Sequence, residues 1–568
     1  MKKRVLRIML VCAMIVALAF TPAWAGKKNK VDAEKMDVED EALAFDASSG
    51  ETFSVLLDGE SLNITKYLVT YVAYPIEMDV NQPGYGPSGY QGDVQLDDVY
   101  CYQKMFIYVS GTAAEDQDAA IILRVNNGGW RTSAVNDAIM EDGEYVSTSD
   151  EDSVGAALKA GYVIVSAGTR SRGALSADGL WAGKAPAVVV DAKAAIRYLK
   201  LNDKIMPGSA DRIVITGGSG GGGLSTAVAA SGNSADYYPY LQEIGAAGIN
   251  SQGKSTLTDD VFAIIAYCPI TDLGNADIAY EWQYGATRLI SEDYTSGGSF
   301  SESMKEASEA LAAQYPSYLA SLGLKLSDGR RLNADTMPDA IMEMVKVSVE
   351  EAMANGEEVP DLGEDWTFSG WGGDTVVTNE WLDVDNDTDT VVSTDYDKYL
   401  ECVCKTSALK TVPAFDATGV TGTTVLSGEN SLFGADDTEY SNFMQWAWDN
   451  NEIAGDDSGY DDTGLYWDEY VLSSELDNQI KLINPIAYLI DRKNGVSAPY
   501  WYVRHGMRDR DTSFAVEVEL FLAIANDPTV KDANYKLTYF KGHGGGDDVQ
   551  EAYGWLAEVL AEEHMGNR

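Results

Sequence analysis

The sequence predicts an α/β fold, a mostly parallel sheet with flanking helices and a large insertion late in the sheet. Three observations carry this. Short apolar runs rich in β-branched residues recur at Met105–Val109, Ala119–Val125, Tyr162–Val165, Ile213–Thr216 and Val261–Tyr267. Stretches of helical period lie between them, most clearly Pro186–Leu199, where one face is expected to be buried. Strands alternating with helices imply crossover units and parallel pairing. The pattern stops near Asp272 and resumes only at Ala498–Arg504 and Tyr535–Phe540, before a last helix over Val549–Glu562.

The opening segment stands apart. Lys2, Lys3, Arg4 and Arg7 precede the apolar run Ile8–Phe20, and Ala23-Trp24-Ala25 closes it. Residues 1–25 therefore read as a secretory signal peptide cut near Ala25, with an apolar run too short to span a bilayer. The mature chain is expected to be secreted, periplasmic or held at a cell surface. Residues 26–50 are charged and short of aromatics, and read as a mobile leader. Residues 51–285 form the first part of the sheet domain, opening with antiparallel strands around Phe53–Leu57 and Tyr67–Val72. Residues 286–480 form the insertion, with two polar amphipathic helices in 301–355 and stretches rich in Asp, Trp, Tyr and Gly at 360–400 and 435–475. Residues 481–568 return to the sheet domain.

Composition excludes some classes. The chain has 568 residues, 45% of them hydrophobic, which suits a globular protein with a sizeable core. Its formal charge of −48 becomes four units more negative once the signal segment is removed. Such a surface repels nucleic acid and anionic lipid. Cys101, Cys268, Cys402 and Cys404 are too scattered for a disulfide scaffold, and no C-x-x-C or H-E-x-x-H marks a zinc site. No cofactor is expected. Asp383-Val384-Asp385-Asn386-Asp387-Thr388-Asp389 alternates carboxylates as calcium loops do. However, Thr388 and Thr394 stand where an EF-type loop needs Gly and Glu, so a solvated acidic loop is the better reading.

The chemistry points to Ser219. It follows the strand Ile213–Thr216 in Gly217-Gly218-Ser219-Gly220-Gly221, and a helix-like stretch follows it. Strand, G-x-S-x-G and helix hold a serine hydroxyl out on a tight turn, with the free N–H groups of the helix start behind it. The abundance of glycine in Gly217-Gly218-Ser219-Gly220-Gly221-Gly222 reads as a looser turn. A serine nucleophile needs a base, and the chain has only three histidines. His564 sits beside Glu562 and Glu563 near the C-terminus and reads as solvated. His505 ends an apolar strand. His543 lies on a glycine-flanked loop between the last strand and the last helix, and is the candidate base. Asp509 follows the second-last strand and is the candidate orienter. The order Ser219, Asp509, His543 is that of α/β-hydrolases. For the oxyanion, the Gly220 amide and one from Gly128 or Gly129, in the loop Asn126–Trp130, are the candidate donors.

Several separated blocks resemble one family. They are Ala194-Ala195-Ile196-Arg197-Tyr198-Leu199, Met206-Pro207-Gly208, the serine elbow with Ala230-Ser231-Gly232-Asn233, and Asp236-Tyr237-Tyr238-Pro239-Tyr240-Leu241. Leu409-Lys410-Thr411-Val412-Pro413-Ala414-Phe415-Asp416, Glu429-Asn430-Ser431-Leu432-Phe433-Gly434 and Arg504-His505-Gly506 through Asp509-Arg510-Asp511-Thr512-Ser513 continue the likeness. In this order they resemble the bacterial tannases, subtype B, which are α/β-hydrolases that cleave galloyl esters. The resemblance implies an α/β-hydrolase fold with the insertion as a cap, and a small aromatic ester as substrate. It also implies that Lys410, Glu429 and Asp511 hold the phenolic hydroxyls of gallate, with Asp509 as the triad acid. A feruloyl or acetyl esterase acting on plant polysaccharide remains an alternative. So does a non-catalytic polyphenol- or carbohydrate-binding relative.

Overall fold

The computed structural model describes residues 38–566, apart from 87–88, 91–93, 297–299, 371–372, 418–427, 452–462 and 464. The expected signal peptide lies outside these residues. Ten strands form the main sheet: β1 (Glu51–Leu57), β2 (Glu60–Thr70), β3 (Lys104–Ser110), β4 (Ile121–Val125), β5 (Glu144–Tyr145), β6 (Val163–Ala167), β7 (Ile213–Gly218), β8 (Ala263–Tyr267), β9 (Tyr500–Gly506) and β10 (Asp532–Thr538). Their spatial order is β10-β9-β8-β7-β4-β6-β3-β2-β1-β5. Every neighbouring pair from β10 to β6 is parallel. The pairs β6–β3, β3–β2 and β2–β1 are antiparallel. Helices cover both faces, which is why Ile213, Val214 and Ile215 of β7 are all fully buried and the strand reads as continuous β-branched sequence. Parallel pairing puts the carboxyl ends of β7, β8, β9 and β10 on one edge. The loops carrying Ser219, Cys268, Asp509 and His543 therefore leave the sheet side by side.

The flanking helices are α1 (Ser153–Ala160), α2 (Ala187–Leu201), α3 (Gly220–Ala230), α4 (Leu273–Arg288), α5 (Phe514–Asn526) and α6 (Val549–Gly566). Helix α2 departs from the expected one-sided burial, since Asp191, Lys193 and Arg197 are as buried as its valines. Each charge is paired: Asp191 with Arg170 at 2.8 Å, and Lys193 and Arg197 with Asp259 at 2.9 and 2.8 Å. Such pairing is required, because an orphaned buried charge costs about 3–5 kcal/mol.

Residues 38–50, expected to be part of a mobile leader, are packed instead. After the short helix Val38–Ala42, Leu43 and Phe45 are buried. Phe45 N–H donates to Asn202 Oδ1 at 2.8 Å, and Asn202 Nδ2 donates to Leu43 O at 3.0 Å. Two apolar side chains among many charges are enough to dock this segment once Asn202 satisfies its backbone.

Between β8 and β9 the chain leaves the main sheet. Residues 301–355 form three helices rather than two, Glu302–Ala312, Tyr315–Leu322 and Met337–Ala354. Two hairpins follow, Asp365–Gly370 with Gly373–Thr378, and Leu382–Asp385 with Thr390–Thr394. The acidic stretch 383–389 spans the end of one strand and the turn of the second hairpin, where Asp385 accepts from Asp387 N–H at 3.0 Å and Asn386 donates to Val359 O at 3.1 Å. The indole of Trp366 stacks on Phe540 at 4.2 Å and tethers the first hairpin to the segment beyond β10. The four described cysteines, Cys101, Cys268, Cys402 and Cys404, are buried and form no disulfide. No described helix is long and apolar enough to cross a membrane.

Candidate active site

Ser219 closes β7 and precedes α3 with φ 58° and ψ −126°, a left-handed backbone that costs a non-glycine residue about 1–3 kcal/mol. Its surroundings enforce it. Ser219 N–H donates to Tyr267 O at 2.8 Å, and Ser219 O accepts from Gly223 N–H at 2.9 Å and Ile270 N–H at 3.2 Å. The glycines behind it do not loosen the turn as the sequence suggested. A Cβ on Gly220 would lie 2.1 Å from Trp130 N, and one on Gly223 would lie 2.2 Å from Ile270 O. Glycine is needed here for close approach, and α3 is buried along its whole length. The first-turn N–H groups of α3, that of Gly220 among them, have no intrahelical acceptor and point back toward the serine.

His543 Nε2 lies 2.9 Å from Ser219 Oγ, and His543 Nδ1 lies 2.8 Å from Asp509 Oδ2. The loop carrying His543 is pinned from three sides. Cys268 Sγ donates to Gly544 O at 2.9 Å, Arg508 N–H donates to Lys541 O at 2.8 Å, and Trp366 holds Phe540. Asp509 is buried in a turn off β9, with its N–H on Gly506 O at 3.0 Å and its Oδ1 accepting from Asp511 N–H at 2.9 Å.

Burial works against a charged His543, but the hydrogen bond and charge of Asp509, with the charge of Asp511 added, outweigh it and raise its pKa above the ordinary 6.5. Burial likewise opposes the Asp509 carboxylate, yet the imidazoles of His505 and His543 hold its pKa well below the usual range. A base with a raised pKa is neutral only at higher pH. The acid limb of kcat/KM on an ester substrate is therefore expected above pH 6.5; a limb at or below that value would contradict this electrostatic picture.

The other candidate residues surround this line. Gly128 and Gly129 lie in the turn Gly128–Trp130, Gly129 with φ 61°. The turn is fixed by Asn127 Nδ2 donating to Arg131 O at 2.7 Å and by Arg172 Nε donating to Gly129 O at 2.5 Å. Arg172 escaped sequence reasoning because nothing local marks it. It also flanks Gly428, whose turn Gly428–Leu432 carries Glu429 and packs against Gly128–Trp130. Asp511 Oδ2 stands 3.6 Å from His543 Nε2 and pairs with Arg510 at 2.6 Å. Lys410 is half-buried, its Nζ 3.9 Å from the Phe415 ring centroid, and its charge acts on His543. A cavity of about 450 Å³ reaches Ser219, Tyr267, His543 and Gly544, but Lys410, Glu429 and Asp511 do not line it. His564 is exposed at the far end of α6, near Arg212.

Two buried carboxylates, also unforeseen, organise the segment between Lys410 and Glu429. Asp277 of α4 accepts from the N–H groups of Ala414, Phe415 and Asp416 at 2.6–2.9 Å. Asp416 in turn accepts from Asn430 and Asn442 side chains and from the N–H groups of Phe443 and Met444 at 2.5–2.9 Å. Residues 418–427 of this segment lie outside the described residues.

Comparison with known proteins agrees with this fold. Residues 107–315 match the BD-FAE family, an α/β-hydrolase family. No curated protein matches. A solved tannin acyl hydrolase in complex with 3,4-dihydroxybenzoate is 28% identical, with a TM-score of 0.70 over 91% of this chain and 99% of that one. The native tannin acyl hydrolase of Lactobacillus plantarum is 27% identical with a TM-score of 0.69 over the same shares, and the Fusobacterium nucleatum tannase is 28% identical with a TM-score of 0.69 over the same shares. The fold and this likeness over nine-tenths of the chain make it an α/β-hydrolase of the carboxylic ester hydrolase class, similar to the bacterial tannases.

Proposed function

We propose that this chain is an exported serine esterase that hydrolyses galloyl esters of plant tannins to gallate plus an alcohol or sugar. The observation that carries the mechanism is the continuous Ser219–His543–Asp509 contact, 2.9 and 2.8 Å, at the carboxyl edge of the parallel sheet. His543 takes the Ser219 proton as the hydroxyl attacks the ester carbonyl, and Asp509 steadies the imidazolium. The amides of Gly220 and of Gly128 or Gly129 hold the oxyanion. The imidazolium returns its proton to the leaving alcohol, and the acyl group stays on Ser219. Water, deprotonated by His543, then releases the acid. Export rests on the sequence of residues 1–25, and residues 286–480 serve as the cap.

The galloyl assignment is supported by Asp511 beside His543, by the charge of Lys410 near the same imidazole, and by a similar solved structure described as a complex with ethyl gallate. A trihydroxybenzoyl edge offers donors to carboxylates and acceptors to a lysine. Comparing kcat/KM on methyl gallate, methyl ferulate and acetyl-xylan tests it. Methyl gallate is expected to lead. A lead for ferulate or acetyl-xylan would move the assignment to a feruloyl or acetyl esterase, and retained gallate binding without any turnover would make the chain a binding protein. Lys410→Ala is expected to lower kcat/KM on methyl gallate about tenfold or more while changing methyl benzoate little. An unchanged ratio would remove Lys410 from the acyl site.

A further inference from the structure

The mechanism leaves one buried cluster unused. On the side of Asp509 away from solvent, His505 of β9 is fully buried, with its ring edge-on to Phe514 at 5.7 Å. Its Nδ1 lies 3.5 Å from Asp509 Oδ2, the same oxygen that accepts from His543, and 3.6 Å from Glu517 Oε1 of α5. Among the described residues, neither ring nitrogen has a hydrogen-bond partner, and neither does either oxygen of the fully buried Glu517. Four polar atoms left open this close to a reacting centre are uncommon, because each costs about 1–3 kcal/mol. Hydrogen bonds at catalytic sites are often long in the free enzyme and tighten in the Michaelis or transition-state complex.

We propose that His505 is a positioning residue for ester cleavage: its Nδ1–H braces the Asp509 carboxylate, with Glu517 Oε1 beside the same nitrogen. The inference rests on the esterase reading of Ser219, His543 and Asp509. Other groups face the cluster. Cys268 comes from the loop after β8, Asp511 and His543 from the solvent side, and Tyr399 from the helix Tyr396–Thr406, its hydroxyl donating to Met507 O at 2.6 Å. Burial lowers the pKa of His505 against the opposing charge of Asp509, and burial next to Asp509 raises that of Glu517 well above the carboxylate range. Asp509 is then the one full negative charge in this buried set, flanked by two imidazoles. A proton donated from His505 makes that charge a weaker partner for the His543 imidazolium. His505 therefore tunes how basic His543 is, in addition to fixing where Asp509 points.

The test is the pH dependence of kcat/KM on methyl gallate for the wild type, His505→Leu and His505→Gln. Histidine NMR titration in Ser219→Ala protein accompanies it, and is tractable because the chain has three histidines. Removing the donor strengthens the hold of Asp509 on protonated His543. In His505→Leu the acid limb is expected to move up by about one pH unit, so that the rate at pH 6 falls about tenfold relative to its own plateau. His505→Gln, which restores a donor, brings the limb back toward the wild type. In the NMR experiment His505 titrates below the ordinary 6.5, with the proton of its neutral ring on Nδ1. A limb that coincides with the wild type while only the plateau drops would overturn the proposal, since packing alone behaves that way. So would a His505 proton residing on Nε2, a result that does not depend on any variant folding. If Ser219→Ala hydrolysed methyl gallate as well as the wild type, the underlying reading of the site would fall instead, and that outcome is separable from these.

Discussion

Ser219→Ala lowers kcat/KM on methyl gallate by about 10⁴-fold or more and leaves the fold intact. The loss is large because, among the described residues, the hydroxyl is the group that His543 Nε2 meets at hydrogen-bond distance. The fold survives because alanine occupies the same strained backbone at Ser219, which is fixed by main-chain bonds to Tyr267, Gly223 and Ile270 rather than by the side chain. Gallate binding persists in this variant for the same reason. Steady-state kinetics with equilibrium dialysis of gallate separates the two effects. Turnover within tenfold of the wild type would remove the nucleophile from the account.

Asp509→Asn costs about 10³–10⁴-fold in kcat. The amide matches the carboxylate in shape, so the turn on Gly506 O and Asp511 N–H has no steric reason to change. What changes is the proton on His543. An amide NH₂ facing Nδ1 forces the proton onto Nε2, where it can no longer accept from Ser219. The loss of the negative charge also removes what raises the imidazole pKa. The variant is therefore slow at every pH, with a residual rate whose acid limb lies lower than in the wild type. A plateau rate above one-tenth of the wild type would show that Asp509 orients nothing.

The parts legible in the sequence were those with local causes. The run Ile213-Val214-Ile215 announced β7 because a strand covered on both faces must be apolar throughout. Ser219 stood out because an elbow needs glycine on both sides, and His543 because few histidines compete with it. Placing Asp509 against His543 required only that consecutive parallel strands end on one edge. Other features had distant causes. The hairpins at 365–394 depend on Trp366 stacking upon Phe540, far along the chain, and their Asp- and Gly-rich sequences hide any alternation. Leu43 and Phe45 are buried only because Asn202 meets their backbone. Helix α2 is buried on more than the one expected face because Asp259, distant in sequence, pairs with Lys193 and Arg197. The glycines after Ser219 looked like slack, whereas they mark where Trp130 and Ile270 press closest. Glu517 was hidden in plain view: a glutamate inside Phe514-Ala515-Val516-Glu517-Val518-Glu519-Leu520-Phe521 has no polar face of the helix to occupy. Asp277 and Asp416 carry no local signal, since their partners are backbone amides and, for Asp416, the side chains of Asn430 and Asn442, which only the tertiary fold brings near.

The central claim is that Ser219 is made nucleophilic by His543. Treating the folded protein with an alkyl fluorophosphonate and mapping the adduct by peptide mass spectrometry tests it directly. The account predicts one adduct, on the peptide containing Ser219, formed in step with loss of esterase activity and suppressed in His543→Ala. Esterase activity that survives treatment with Ser219 unmodified, or an inactivating adduct on a different residue, would contradict it.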